Sequence, residues 1–79
     1  MTTTEITRTI DARGMACPGP LMALIGAVRE GTLGDVIEVL SSDEGSKSDI
    51  PAWVQKARYE MIEVVTEDGF ARFIIRKTR

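Results

Sequence analysis

Nucleophilic chemistry in this 79-residue chain has one thiol to work with, Cys17, and no histidine to activate it. The missing imidazole excludes Cys-His, Ser-His and His-metal mechanisms within the chain. A lone cysteine also cannot form an internal disulfide, build a multi-thiolate metal site, or be resolved by a second thiol of its own chain. Neither a metal nor any other cofactor is expected. Activation must come from the setting, and Cys17-Pro18-Gly19-Pro20 opens a stretch of helical periodicity. With Pro18 as the first helical residue, Cys17 is the N-cap and its sulfur lies at the positive end of the helix dipole. Pro18 and Pro20 carry no N–H, so the first turn offers chiefly the amides of Gly19 and Leu21. Cysteines at helix N-termini can have pKa values lowered to roughly 3.5–7.5, against about 8.5 when free. Arg13, four residues upstream, adds a positive charge, and Gly14 helps shape the approach. The plainer alternative is a buried, inert thiol, the commonest fate of a free cysteine. Against it, N-caps are normally Ser, Thr, Asp or Asn, and a cysteine there forgoes a capping oxygen unless the sulfur is wanted.

The elements that would position this thiol follow from the hydrophobic pattern. Glu5 to Ile10 reads as a short strand, with Ile6 and Ile10 on one face and Thr7 and Thr9 on the other. Leu21, Leu24, Ile25 and Val28 mark one face of a helix over about 18–30, which Gly31 and Gly34 end. Val36, Ile37, Val39 and Leu40 form an inner strand, followed by a polar loop over 41–48. Asp49 is expected to cap a second, short helix with Pro51 in its first turn and Ile50, Trp53, Val54 and Ala57 facing inward. Residues 59–67 and 70–76 are strands around Asp68-Gly69, a strong hairpin signal. The expected fold is a two-layer α/β (α+β) sandwich, β-α-β-α-β-β, with both helices on one face of a four-stranded mixed sheet. It is one domain over 1–79, with residues 1–4 a loose lead.

Composition narrows the function classes. The chain is 43% hydrophobic and 28% charged, and no stretch approaches the roughly 18 apolar residues of a membrane span. Ten Lys and Arg against twelve Asp and Glu give a formal charge of −2, which disfavours nucleic acid as a direct partner. Arg72, Arg76, Lys77 and Arg79 gather basic charge at the carboxyl end, most simply as a solvated strand face. Met15 and Met22 flank the cysteine and would suit an adaptable contact surface if exposed. The polar start MTTTEITRTID lacks the apolar run of a secretory signal, so a reducing cytoplasm is the expected compartment. A monomer is the expected state.

The string Asp11-Ala12-Arg13-Gly14-Met15-Ala16-Cys17-Pro18-Gly19-Pro20, with Asp49-Ile50-Pro51-Ala52-Trp53 and the closing Phe73-Ile74-Ile75-Arg76-Lys77, resembles the TusA/SirA-like sulfur carrier family. The similarity covers nearly the whole chain, and the family's two-layer β-α-β-α-β-β fold agrees with the element order. The resemblance implies that Cys17 accepts sulfane sulfur as a persulfide from a donor protein and passes it to the next protein of a relay. The donor would be a cysteine desulfurase, a rhodanese or another carrier. The relay would serve tRNA thiolation, molybdenum cofactor assembly or sulfur oxidation. In this scheme Arg13, Gly14, Pro18, Gly19, Pro20 and Leu21 support the thiolate and its persulfide. The chain departs from the family at Arg58, where Gly is common, at Tyr59, where His is frequent, at Glu44 in place of Pro, and at Ile25-Gly26, where Lys is often found. Two rivals remain: a protein- or RNA-binding regulatory module with an inert Cys17, and a small redox protein, the latter without the Cys-x-x-Cys pair that such proteins typically use.

Overall fold

The computed structural model describes residues 5–16 and 18–79. The expected loose lead over 1–4 and the placement of the Cys17 sulfur lie outside the described residues. Among the described residues, six elements follow in the expected order: β1 (Arg8–Asp11), α1 (Gly19–Glu30), β2 (Val36–Ser41), α2 (Ser46–Ala57), β3 (Glu60–Thr66) and β4 (Ala71–Arg76). The sheet order is β1-β2-β4-β3, with β1 parallel to β2 and the other two pairings antiparallel. Strand β1 begins three residues later than the sequence suggests and runs on to Asp11. Thr7 still joins the pairing from outside the strand, donating its amide to the Val36 carbonyl and accepting the Val36 amide on Oγ1.

One face of the sheet carries the core. Ile37 pairs with Ile75 and Val39 with Phe73 across β2 and β4, and these four side chains are buried with Leu24, Ala27 and Val28 of α1 and Ile50 and Val54 of α2. Both helices therefore cover the same face, and removing these side chains from water is the main source of stability. The buried stripe of α1 is Pro20, Leu24, Ala27 and Val28, turned slightly from the expected one; Leu21 packs against the core only in part.

The opposite face is polar with apolar patches. Glu38 is only 5% exposed there, and its charge is matched by Arg72, which contacts Oε2 at 2.6–2.7 Å, while Thr9 Oγ1 donates to Oε1 at 3.0 Å. Arg72 also reaches Glu67 at 3.2 Å. A buried carboxylate persists only when its lone pairs are used in this way.

The second helix corrects three expectations. It begins at Ser46 with Gly45 as cap, so Asp49 lies inside its first turn and is not the N-cap. The supposed loop over 41–48 correspondingly shrinks to 42–45. The cause is the pair Ser41–Ser46: Ser41 Oγ donates to Ser46 Oγ at 2.9 Å, both residues are buried, and the helix is started against the end of β2. Pro51 then falls within the helix, where its missing N–H leaves the carbonyl of exposed Lys47 without its helical partner and open to water.

At its other end α2 stops at Arg58, whose φ of 66° and ψ of 33° are left-handed. The Arg58 amide donates to Gln55 and the Tyr59 amide to Val54, a Schellman pattern, and Tyr59 packs on Trp53 with ring centroids 5.6 Å apart. The β3–β4 hairpin closes through the Glu67 amide on the Phe70 carbonyl, with Gly69 at φ 88°. A register shift between Met61 and Glu63 bulges β3, an edge strand, in the manner that blunts edges against unwanted pairing.

Candidate functional site

The segment between β1 and α1 carries the Arg-Gly-x-x-Cys-Pro-x-Pro motif. It starts from Ala12, wholly buried, whose amide donates to the Leu40 carbonyl at 2.9 Å and fixes the chain to the end of β2. Gly14 adopts φ 88°, which turns the chain so that the Met15 amide returns to the Ala12 carbonyl at 3.1 Å. A side chain at Gly14 would meet no neighbouring atom, so the positive φ is what favours glycine there. The Gly14 amide donates to Ser42 Oγ at 3.0 Å, tying the turn to the residue just past β2.

The helix start differs from the expectation. The cap position falls on Pro18, at φ −95° and ψ 16°, because its carbonyl accepts the amide of Met22 at 2.8 Å as the first helical hydrogen bond. Cys17 is therefore the residue before the cap in sequence, not the cap itself. The Gly19 amide donates to the Ala16 carbonyl at 2.8 Å and is committed there, so the expected pair of amides for the sulfur loses one member. Pro20 is buried on α1, Leu21 is half-buried, and Pro18 is exposed. A Cβ built on Gly19 would come within 3.1 Å of Met15 Cε, so the Met15 side chain occupies the space over this residue. Met15 and Met22 are 44% and 58% exposed, which places two thioethers on the surface at the start of α1.

Arg13 is not a free charge beside the motif. Its Nε and one terminal nitrogen each donate to an oxygen of the Asp11 carboxylate at 2.8 Å, and its backbone amide donates to Asp11 Oδ1 at 3.2 Å. These hydrogen bonds hold the Asp11 carboxyl down at about 2, and the same pairing raises the guanidinium. The guanidinium lies over the Phe70 ring, with Cζ 4.9 Å from its centroid. Motif loop and β3–β4 hairpin thus meet at one end of the sheet. Beside them lies a polar recess of about 140 Å³ whose walls include Ser41, Ser42, Lys47, Glu67 and Phe70.

Arg72, Arg76 and Lys77, three of the four basic residues at the carboxyl end, are engaged within the fold. Arg72 is engaged with Glu38 and Glu67, and Arg76 with Glu60 at 3.3 Å. Lys77 Nζ turns inward and donates to backbone carbonyls of α1 and the residue after it. A docking patch for a polyanion would need these charges unpaired, so this feature gives no support to an RNA-binding module. Sequence reasoning missed Asp11, Ser42 and Phe70 as partners of the motif. The Asp11-x-Arg13 spacing was the visible signal; Ser42, just past β2, and Phe70, just before β4, are distant in sequence and left none.

Comparison with known proteins bears on the same stretch. A family model described as Sulfurtransferase TusA matches residues 8–77. A protein of Archaeoglobus fulgidus, provisionally named a sulfur carrier, is 49% identical over 70 residues, covering 89% of this chain and 96% of that protein. The sulfur carrier protein TusA of Pseudomonas entomophila is 36% identical over 69 residues, 87% of this chain and 86% of its own. The crystal structure of a SirA-like protein from Desulfitobacterium hafniense superposes with a TM-score of 0.75 at 25% identity, covering 92% of this chain and all of that one. No helix among the described residues is long and apolar enough to cross a membrane.

Proposed function

The chain belongs to the TusA sulfurtransferase family and has a sulfur carrier role, and on that premise we propose that Cys17 is the carrying atom's residue: it takes up sulfane sulfur as a persulfide and yields it to a second protein. In the loading step the Cys17 thiolate attacks the outer sulfur of a donor cysteine persulfide. A bond forms between the Cys17 sulfur and that outer sulfur, the donor's own sulfur–sulfur bond breaks, and the donor cysteine leaves as a thiolate. No net oxidant is needed. Unloading repeats the exchange toward an acceptor thiol. The absence of a second cysteine favours a carrier, because an internal thiol would attack the persulfide and release sulfide.

The observation that carries this reading is the position of Cys17, the chain's sole cysteine, within the family's motif and directly before the α1 cap in sequence. With the Gly19 amide committed to Ala16, thiolate stabilisation is assigned to the α1 dipole and the Leu21 amide. Pro18 and Pro20 fix the turn, and Arg13 and Gly14 hold the segment that leads to it. Donors of the cysteine desulfurase, rhodanese or carrier classes, acting in the cytoplasm on a monomeric carrier, fit this chemistry. Alkylation rate against pH tests it. A Cys17 pKa below that of free cysteine, near 8.5, is expected; a value at or above it removes the activation argument.

A further inference from the structure

We propose that Phe70, on the hairpin far from the motif in sequence, is a positioning residue for sulfur exchange, acting through Arg13; this rests on the persulfide reading of Cys17. Ala12 is locked to β2 and the α1 helix begins at Gly19, so the chain between them must be fixed by other means. Some of its bonds are internal, from the Met15 amide to Ala12 and from the Gly19 amide to Ala16, and these shape the segment without orienting it on the fold. Contacts from it to distant parts of the chain include the Gly14 amide on Ser42 Oγ, just past β2, and the Arg13 guanidinium over the ring of Phe70, just before β4, at 4.9 Å.

The second contact has a defined geometry. The two-pronged bond to Asp11 holds the guanidinium, and its Cζ lies over the Phe70 ring. A guanidinium is suited to both tasks at once because it is planar, forked and weakly hydrated, whereas an ammonium is a compact point charge. Since Asp11 already neutralises it, Arg13 serves here through shape and stacking more than through bare charge. Exchange between two sulfurs needs close alignment of the attacking and leaving atoms, so a small displacement of the segment costs rate.

The experiment measures sulfur acceptance from a cysteine desulfurase with cysteine as sulfur source, at varied carrier concentration, for the wild type, Phe70→Leu, Phe70→Trp, Arg13→Lys and the Phe70→Leu/Arg13→Lys pair. Phe70→Leu is expected to lower the limiting rate about tenfold while the half-saturating carrier concentration stays within about twofold. Phe70→Trp should restore the rate, Arg13→Lys should match Phe70→Leu although it keeps the charge, and the double variant should be no slower than either single one. Denaturant midpoints of the same variants report folding, and Arg13→Lys, at a half-exposed side chain, carries the test should Phe70→Leu fail to fold. A wild-type limiting rate in Phe70→Leu or Arg13→Lys, or losses that multiply in the double variant, would overturn the proposal. A wild type that takes up no sulfur would instead overturn the persulfide reading beneath it.

Discussion

Lys77 Nζ donates to the Val28 carbonyl at 2.8 Å, binding the residue after β4 to the last turn of α1. It donates also to the Gly31 carbonyl at 3.0 Å, so one ammonium joins the Gly31 amide on the Val28 carbonyl, serves the carbonyl of the cap residue itself, and lies at the negative end of the helix dipole. Lys77→Met keeps the aliphatic stem and removes the charge and the donors. It should lower stability by about 1–2 kcal/mol in denaturant titration. No change would mean that water serves those carbonyls as well.

Arg58 offers a gain in place of a loss. A non-glycine residue in left-handed backbone geometry is strained by about 1 kcal/mol, and Arg58 adopts φ 66° at the end of α2. Arg58→Gly should raise stability by about 0.5–1 kcal/mol, with α2 ending at the same residue. A loss of stability would show that the arginine side chain contributes more than its backbone strain removes.

On the open face of the sheet, Glu38→Gln should cost about 2 kcal/mol, because it weakens the contact with Arg72 while leaving that guanidinium near a buried site. Replacing both residues with apolar ones of similar size, Glu38→Met with Arg72→Leu, should cost less than the single change. A thermal or denaturant midpoint lower in the double variant than in Glu38→Gln would contradict this.

The Asp11–Arg13 pair makes a prediction in pH. The carboxyl of Asp11 is lowered in the folded protein to about 2 from an ordinary 3.8. A depressed carboxylate pKa favours the folded state fully above the unfolded value, and that contribution is lost as pH falls through the folded one. Carboxyl resonances should therefore show Asp11 still ionised at pH 3 and titrating near 2, and Arg13→Lys should move it upward. Titration at 3.8 in the wild type would show that the two-pronged bond does not persist in solution.

Where sequence reasoning succeeded, the signals were local. Asp68-Gly69 fixed the hairpin because only glycine readily takes the required φ, and the spacing of Leu24 and Val28 marked the buried side of α1. It failed where a distant residue outweighed a local preference. Asp49 and Pro51 together look like a helix start, yet the buried Ser41–Ser46 hydrogen bond begins the helix earlier. Arg13 looked like a charge for the thiol, but Asp11 and Phe70 occupy it. The four basic residues at the carboxyl end looked solvated, whereas Lys77 reaches back to Val28 across the fold. The motif itself was legible, while the residues that hold it were not, because strand pairing alone brings Ser42 and Phe70 beside it.

The central claim, that Cys17 carries the sulfur, is tested most directly by intact mass. The reduced protein is incubated with a cysteine desulfurase and cysteine, then weighed without reductant beside Cys17→Ser, a variant that should fold because serine is close to cysteine in size and shape. The wild type should gain the mass of one sulfur atom and lose it on treatment with dithiothreitol, and Cys17→Ser should gain none. A wild type that stays at its unmodified mass with desulfurase, rhodanese and carrier-protein donors alike, while Cys17 still alkylates rapidly, would contradict the account.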